Sequence, residues 1–176
     1  MNKKQKGFSL IELLIVVAII LIIAAIAIPN LLRARMAANQ SSAVGSVRTL
    51  VTSNITYSST WGNGFAPTLP TLGGAAGGAA TCQAALLVDN VLAATGQKSG
   101  YNITYTVGNL NAVAAPGCGG PGGNTFAFTA NPINLGSTGQ TAYCAAEDGV
   151  VRSDPTGGMA AGETDVACMT TFPALQ

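Results

Sequence analysis

The chain has 176 residues, enough for one domain of ordinary size with an appended segment. Only 9% are charged and 22 are glycine, which fits neither a highly charged disordered chain nor an enzyme surface crowded with titratable groups. The charge is uneven: Lys3, Lys4, Lys6, Arg33 and Arg35 accompany one acid, Glu12, in the first stretch. The rest is mildly acidic, without the Lys/Arg patch that phosphate contact needs, so no nucleic-acid partner is expected.

In chain order, three lysines precede Gly7, and the run Phe8 to Ile28 is apolar except for Ser9 and Glu12. At ~1.5 Å per residue this run covers roughly 30 Å, the thickness of a bilayer's hydrocarbon core, and predicts a membrane-spanning helix. The positive-inside rule puts the lysine end in the cytoplasm and exports the rest, although Arg33 and Arg35 weaken the asymmetry. An ordinary secretory signal has a shorter apolar core, but Ala24, Ala25 and Ala27 keep signal-peptidase cleavage open as an alternative. Glu12 fits neither a signal nor a plain anchor, because a carboxylate in a membrane helix is costly and marks a functional partner. The plainer account is a carboxylate snorkelling to the interface of a simple anchor.

Pro29 predicts a kink or a locally loosened turn. From Leu31 to about Tyr57 the residues Leu32, Met36, Ala43, Val47, Leu50, Val51 and Ile55 recur near helical spacing. Arg33, Asn39, Ser46 and Arg48 are left for other faces, so an amphipathic helix is expected to pack on the domain that follows. Trp61 to Ala80 is rich in Gly and Pro and reads as an irregular connector. Cys82 to Thr95 lacks both and predicts a short helix closed by Gly96. Tyr101 to Val107, Thr125 to Thr129, Thr141 to Ala145 and Val150 to Arg152 predict strands, the last two joined through Glu147-Asp148-Gly149. The expected fold class is α+β, one long helix on an antiparallel sheet, divided as 1–7 leader, 8–28 span, 29–58 amphipathic continuation and 59–176 head.

Cys82, Cys118, Cys144 and Cys168 all lie in the head, an even count that fits two disulfides in an exported domain, with three connectivities open. Zinc sites draw on close Cys pairs or Cys/His sets, whereas these gaps are wide and histidine is absent, so no metal or cofactor is expected. Glu147, Asp148, Asp154, Glu163 and Asp165 could form a calcium site, but such acids are more often solvated. Asn54-Ile-Thr and Asn102-Ile-Thr match the N-linked acceptor pattern and stay unassigned. A membrane-tethered periplasmic enzyme would need a nucleophile with its base or a metal set. No Gly-x-Ser-x-Gly or phosphate loop appears, and no enzymatic activity is expected.

The stretch Lys6-Gly7-Phe8-Ser9-Leu10-Ile11-Glu12-Leu13-Leu14, followed by Pro29, resembles the signal of type IV pilins and type II secretion pseudopilins. That resemblance implies a pilin-like fold. It also implies cleavage by a prepilin peptidase between Gly7 and Phe8, N-methylation of Phe8, and assembly through Glu12 pairing with a neighbour's N-terminal amine. Pro29 would be the place where the helix loosens in a filament. Many pilins carry a glycine midway along the span, where this chain has Leu21. A C-terminal disulfide is common in pilins, which implies Cys144 with Cys168 and leaves Cys82 with Cys118. The implied partners are further copies of the chain, the peptidase and inner-membrane assembly machinery, with storage in the membrane and a filament outside the cell. Within that resemblance, four cysteines and a glycine-rich head favour a pilin over a pseudopilin.

Overall fold

The computed structural model describes residues 8–75, 77–159, 162 and 164–175. The leader, including Gly7, therefore lies outside the described residues. Two units are distinguished, one ending at Arg35 and one from Met36 onward.

Helix α1 runs Leu10–Trp61 and continues through Pro29. Proline lacks the N–H that would reach the Ala25 carbonyl, yet the helix carries on beyond it. Its later half is rich in Ser and Thr, residues that compete with helix by bonding nearby backbone. Here they bond within the helix: Ser41, Ser46, Thr49, Thr52, Thr56 and Thr60 each donate to the carbonyl four residues back, at 2.8–3.0 Å.

Within the second unit, Ala43, Val47, Leu50, Val51 and Tyr57 of α1 enter one core with Tyr101, Ile103, Phe126 and Phe128. The expected face is corrected at three places, since Ser46 is buried whereas Ile55 and, in the first unit, Leu32 are exposed. Ser46 can be buried because its hydroxyl bonds Ser42 in its own helix. Asn54 is also fully buried, so the first glycosylation pattern is closed to modification in the folded head.

The sheet is a five-stranded antiparallel meander in sequence order: β1 Gln97–Lys98, β2 Tyr101–Leu110, β3 Gly123–Pro132, β4 Ala142–Ala146 and β5 Val151–Asp154. The fold class is α+β as the sequence indicated. β2 and β3 outlast their β-branched and aromatic cores because their pairing extends from Tyr101 opposite Pro132 to Leu110 opposite Gly123. Rings from both strands share the core, with Tyr105 4.8 Å from Phe128 and Phe65 4.6 Å from Phe126, adding edge and tilted contacts to burial. The very short β1, carrying Lys98, blunts one sheet edge.

The segment Cys82 to Thr95 differs from expectation. Helix α3 spans only Asn90–Thr95, because the Asp89 carboxylate accepts from the Leu92 N–H at 3.1 Å and caps it there. Upstream, the Ala85, Leu86 and Leu87 N–H groups donate to the Thr71, Gly73 and Leu72 carbonyls, which ties that stretch irregularly to the preceding turn instead of to its own helix. Gly96 does close the helix, at φ +65°, a left-handed conformation that glycine adopts without a Cβ penalty. The connector before it contains one helical turn, α2 Leu69–Leu72, opened by Pro70.

The sequence reading missed α4, Asp165–Thr171, whose Thr164 hydroxyl accepts from the Ala167 N–H. It packs on β3 and β4, where Cys144, Met159 and Cys168 form a second buried cluster with Ala142. The central strands are thereby covered on both faces, and β4 is buried at every position. After α4 the chain returns to β5, the Ser153 N–H donating to the Pro173 carbonyl and the Leu175 N–H to the Val151 carbonyl. That return covers an otherwise open sheet edge.

Candidate assembly segment

Phe8 to Ile28 presents large apolar side chains outward all round. Phe8 is 79% exposed, and Val17, the least exposed of these large residues, is still 46% exposed. Fully burying one such side chain is worth ~1.5–3 kcal/mol, so a continuous exposed run of them must be covered by lipid or by other helices. The run lies in a helix long and apolar enough to cross a membrane.

The helix start shows how Glu12 is held. The Leu13 N–H donates to the Ser9 carbonyl, and the Glu12 carboxylate reaches back to accept from the Ser9 N–H at 2.9 Å. Ser9 stands just before the first helical residue and Glu12 in the first turn, which is the backward half of a capping box. The negative side chain also faces the positive end of the helix dipole. Sequence reasoning overlooked this local partner, although Ser-x-x-Glu before an apolar run is its signature. The bond is neutral on the donor side. A cation brought close to Glu12 would satisfy the carboxylate more fully, since charge-assisted hydrogen bonds are roughly twice as strong. Among the described residues the single ion pair is Arg152–Asp148, at 2.6 Å in the head.

The head is held by buried polar links and two cross-links. Cys82 is bonded to Cys118 and Cys144 to Cys168, closing separations of 36 and 24 residues. The Asn54 amide oxygen accepts from the Ala66 N–H at 2.8 Å, its NH2 donates to the Tyr105 hydroxyl at 3.2 Å, and that hydroxyl donates to the Ala66 carbonyl at 2.6 Å. This triangle ties the helix, the connector and β2 together. Burial pushes the Tyr105 phenol well above its ordinary pKa, with the Asn54 hydrogen bond opposing. Burial likewise pushes Tyr101, which donates to the Thr141 carbonyl at 2.8 Å, up to about 12.

The acids singled out for calcium are dispersed. Although partial burial opposes it, hydrogen bonds from Arg152 and the Val150 N–H hold Asp148 below the usual carboxylate range. Asp154 is engaged by the Thr156 backbone and hydroxyl, and Glu147 faces the Phe126 N–H. Glu163 lies outside the described residues. No group of three His, Cys, Asp or Glu suited to a metal occurs among the described residues.

Residues 2–28 match the model described as the prokaryotic N-terminal methylation motif. The chain is 64% identical over 39 residues to the type IV wide pilus major component PilA4 of Thermus thermophilus, covering 22% of this chain and 30% of that protein. It is 46% identical over 56 residues to the type IV major pilin protein PilA of Myxococcus xanthus, covering 32% of this chain and 26% of that one. The chain thus spans under a third of the length of these curated relatives. No solved structure matches it. Its N-terminal segment carries the prokaryotic methylation motif on a sequence similar to that of type IV major pilins, joined to an α+β head.

Proposed function

We propose that the chain is the structural subunit of a type IV pilus, held in the inner membrane by Phe8 to Ile28 until it joins a filament outside the cell. The observation that carries this is the pairing of a methylation motif with a helix whose apolar run is exposed on every side. Such a surface suits both environments in turn, a bilayer first and then a bundle of identical helices.

In this reading a prepilin peptidase cuts between Gly7 and Phe8, removing three lysines, and Phe8 becomes the N-methylated terminus. The new cationic amine of one copy then meets Glu12 of the next. Glu12 is satisfied by Ser9 in the lone subunit, so the carboxylate need not be orphaned before assembly. In the apolar bundle a matched charge sets register, while helix packing supplies cohesion. Pro29 offers a point where the helix, short of one hydrogen bond, can extend under tension. The head serves as the outer surface, and its two disulfides restrict the unfolded chain against pulling. The chain acts as a building block and carries out no catalysis.

Intact-mass and N-terminal peptide measurement on sheared surface material and on membranes tests this directly. A chain beginning at methylated Phe8 in the sheared fraction is expected. A start near Ala27, or an uncut Met1, refutes it.

A further inference from the structure

One groove of about 480 Å³ runs along α1 from Ala37 to Arg48 and is closed on its other side by Tyr143 and Leu175. On the helix side Gln40 and Val44 line it together with three small residues, Ala37, Ser41 and Gly45, spaced one turn apart. Gly45 has no intrachain reason to be glycine: it is mid-helix, where glycine weakens the helix, and a Cβ there would meet nothing within 4 Å. The space above it is left open by the chain itself.

Two donors face the same groove. Tyr143 is only 5% exposed, and its hydroxyl lies beside Thr141 without a well-formed hydrogen bond to any described residue. Arg48 makes no ion pair among the described residues. No acid occurs in the sequence between Glu12 and Asp89, so the surrounding helix supplies none. From Met36 onward the chain has Arg48, Lys98 and Arg152 against Asp89, Glu147, Asp148, Asp154, Glu163 and Asp165, and Arg152 is engaged with Asp148. Each copy therefore carries spare carboxylates and few cations to receive them.

We propose that this groove is the seat of a second copy of the chain, whose backbone approaches over Gly45 and whose carboxylate pairs with Arg48 beside the Tyr143 hydroxyl; the inference rests on the filament reading above. A guanidinium offers paired donors to a carboxylate, and a phenol can add a third.

The test uses the full chain in cells, comparing Gly45→Ala, Gly45→Leu and Arg48→Glu. Leucine favours helix more than glycine does, so Gly45→Leu is expected to leave the subunit processed, disulfide-bonded and no less stable. It should nevertheless lower pilin in the sheared fraction on the order of ten-fold or more, as should Arg48→Glu. Gly45→Ala, which puts one methyl group into the same space, should lower it in the same direction but by less than Gly45→Leu. In Arg48→Lys filaments mixed from light and heavy chains, carbodiimide should join position 48 to a carboxylate of the other isotope.

Wild-type filament yield from Gly45→Leu or Arg48→Glu overturns the groove while leaving the pilus reading intact. Cross-links confined to one isotope, including to the chain's own C-terminus, also overturn it, as does capture of a lipid or a different protein at position 48. If wild-type cells make no filament of this chain, the filament reading falls and the inference falls with it.

Discussion

Replacing Asn54 with alanine should destabilise the head by more than any contact list for a polar helix residue would suggest. Asn54 is fully buried, as is Ala66, whose N–H it accepts at 2.8 Å. Truncation orphans that N–H in a dry site, which costs ~1–3 kcal/mol, and removes the 3.2 Å bond to Tyr105, worth ~0.5–1 kcal/mol more. The Tyr105 hydroxyl keeps its stronger 2.6 Å bond to the Ala66 carbonyl, so that part survives. A total of about 2–4 kcal/mol follows, and with a urea slope of ~2 kcal/mol per molar the midpoint should fall by about 1–2 M. The assay is urea unfolding of the detergent-solubilised, disulfide-intact chain, followed by the single tryptophan, Trp61, whose ring lies 5.0 Å from Tyr57. Tyr105→Phe in the Asn54→Ala background should cost less than it does alone, because the two residues share a bond. A shift under ~0.5 kcal/mol, or strict additivity, would refute the triangle as a unit.

Three further outcomes are expected. Tyr101 and Tyr105 have folded pKa values above the unfolded value near 10, so their contribution is complete below pH ~10, and that of Tyr101 is lost as pH rises through about 12; a urea midpoint that stays flat across that window contradicts the burial. Cys144→Ala with Cys168→Ala removes a cross-link spanning 24 residues and should cost about 3 kcal/mol in the same assay, whereas loss of under ~1 kcal/mol would mean that α4 docks independently of it. Glu12→Ala should leave the precursor inserted and processed but abolish or stunt filaments, and normal filaments from that variant would remove the charge pairing from the assembly account.

Much of this protein is readable from local chemistry. The apolar run with Glu12 is visible because membrane insertion depends on composition and length, which need no tertiary partner. The four main strands are visible because β-branched and aromatic runs such as Tyr101 to Val107 stand out from a glycine-rich background. Ser9 and Glu12 belong to the same legible class, since a capping box is a spacing of three residues, although it was passed over.

What the tertiary structure alone decided are the places where a distant group settles a local choice. Cys82 to Val88 has helical composition, yet Thr71, Leu72 and Gly73 take its N–H groups and leave only Asn90–Thr95 as helix. Ser46 reads as an exposed polar position and nothing local marks Asn54 as buried, but Ala66, Tyr105 and the helix's own carbonyls satisfy them in the core, while Ile55 turns outward. Helix α4 is too short to announce itself and exists where Thr164 caps it and Cys168 anchors it on β4. A buried polar group is tolerable only when its partner arrives, and the partner lies far along the chain, so sequence spacing carries no sign of it.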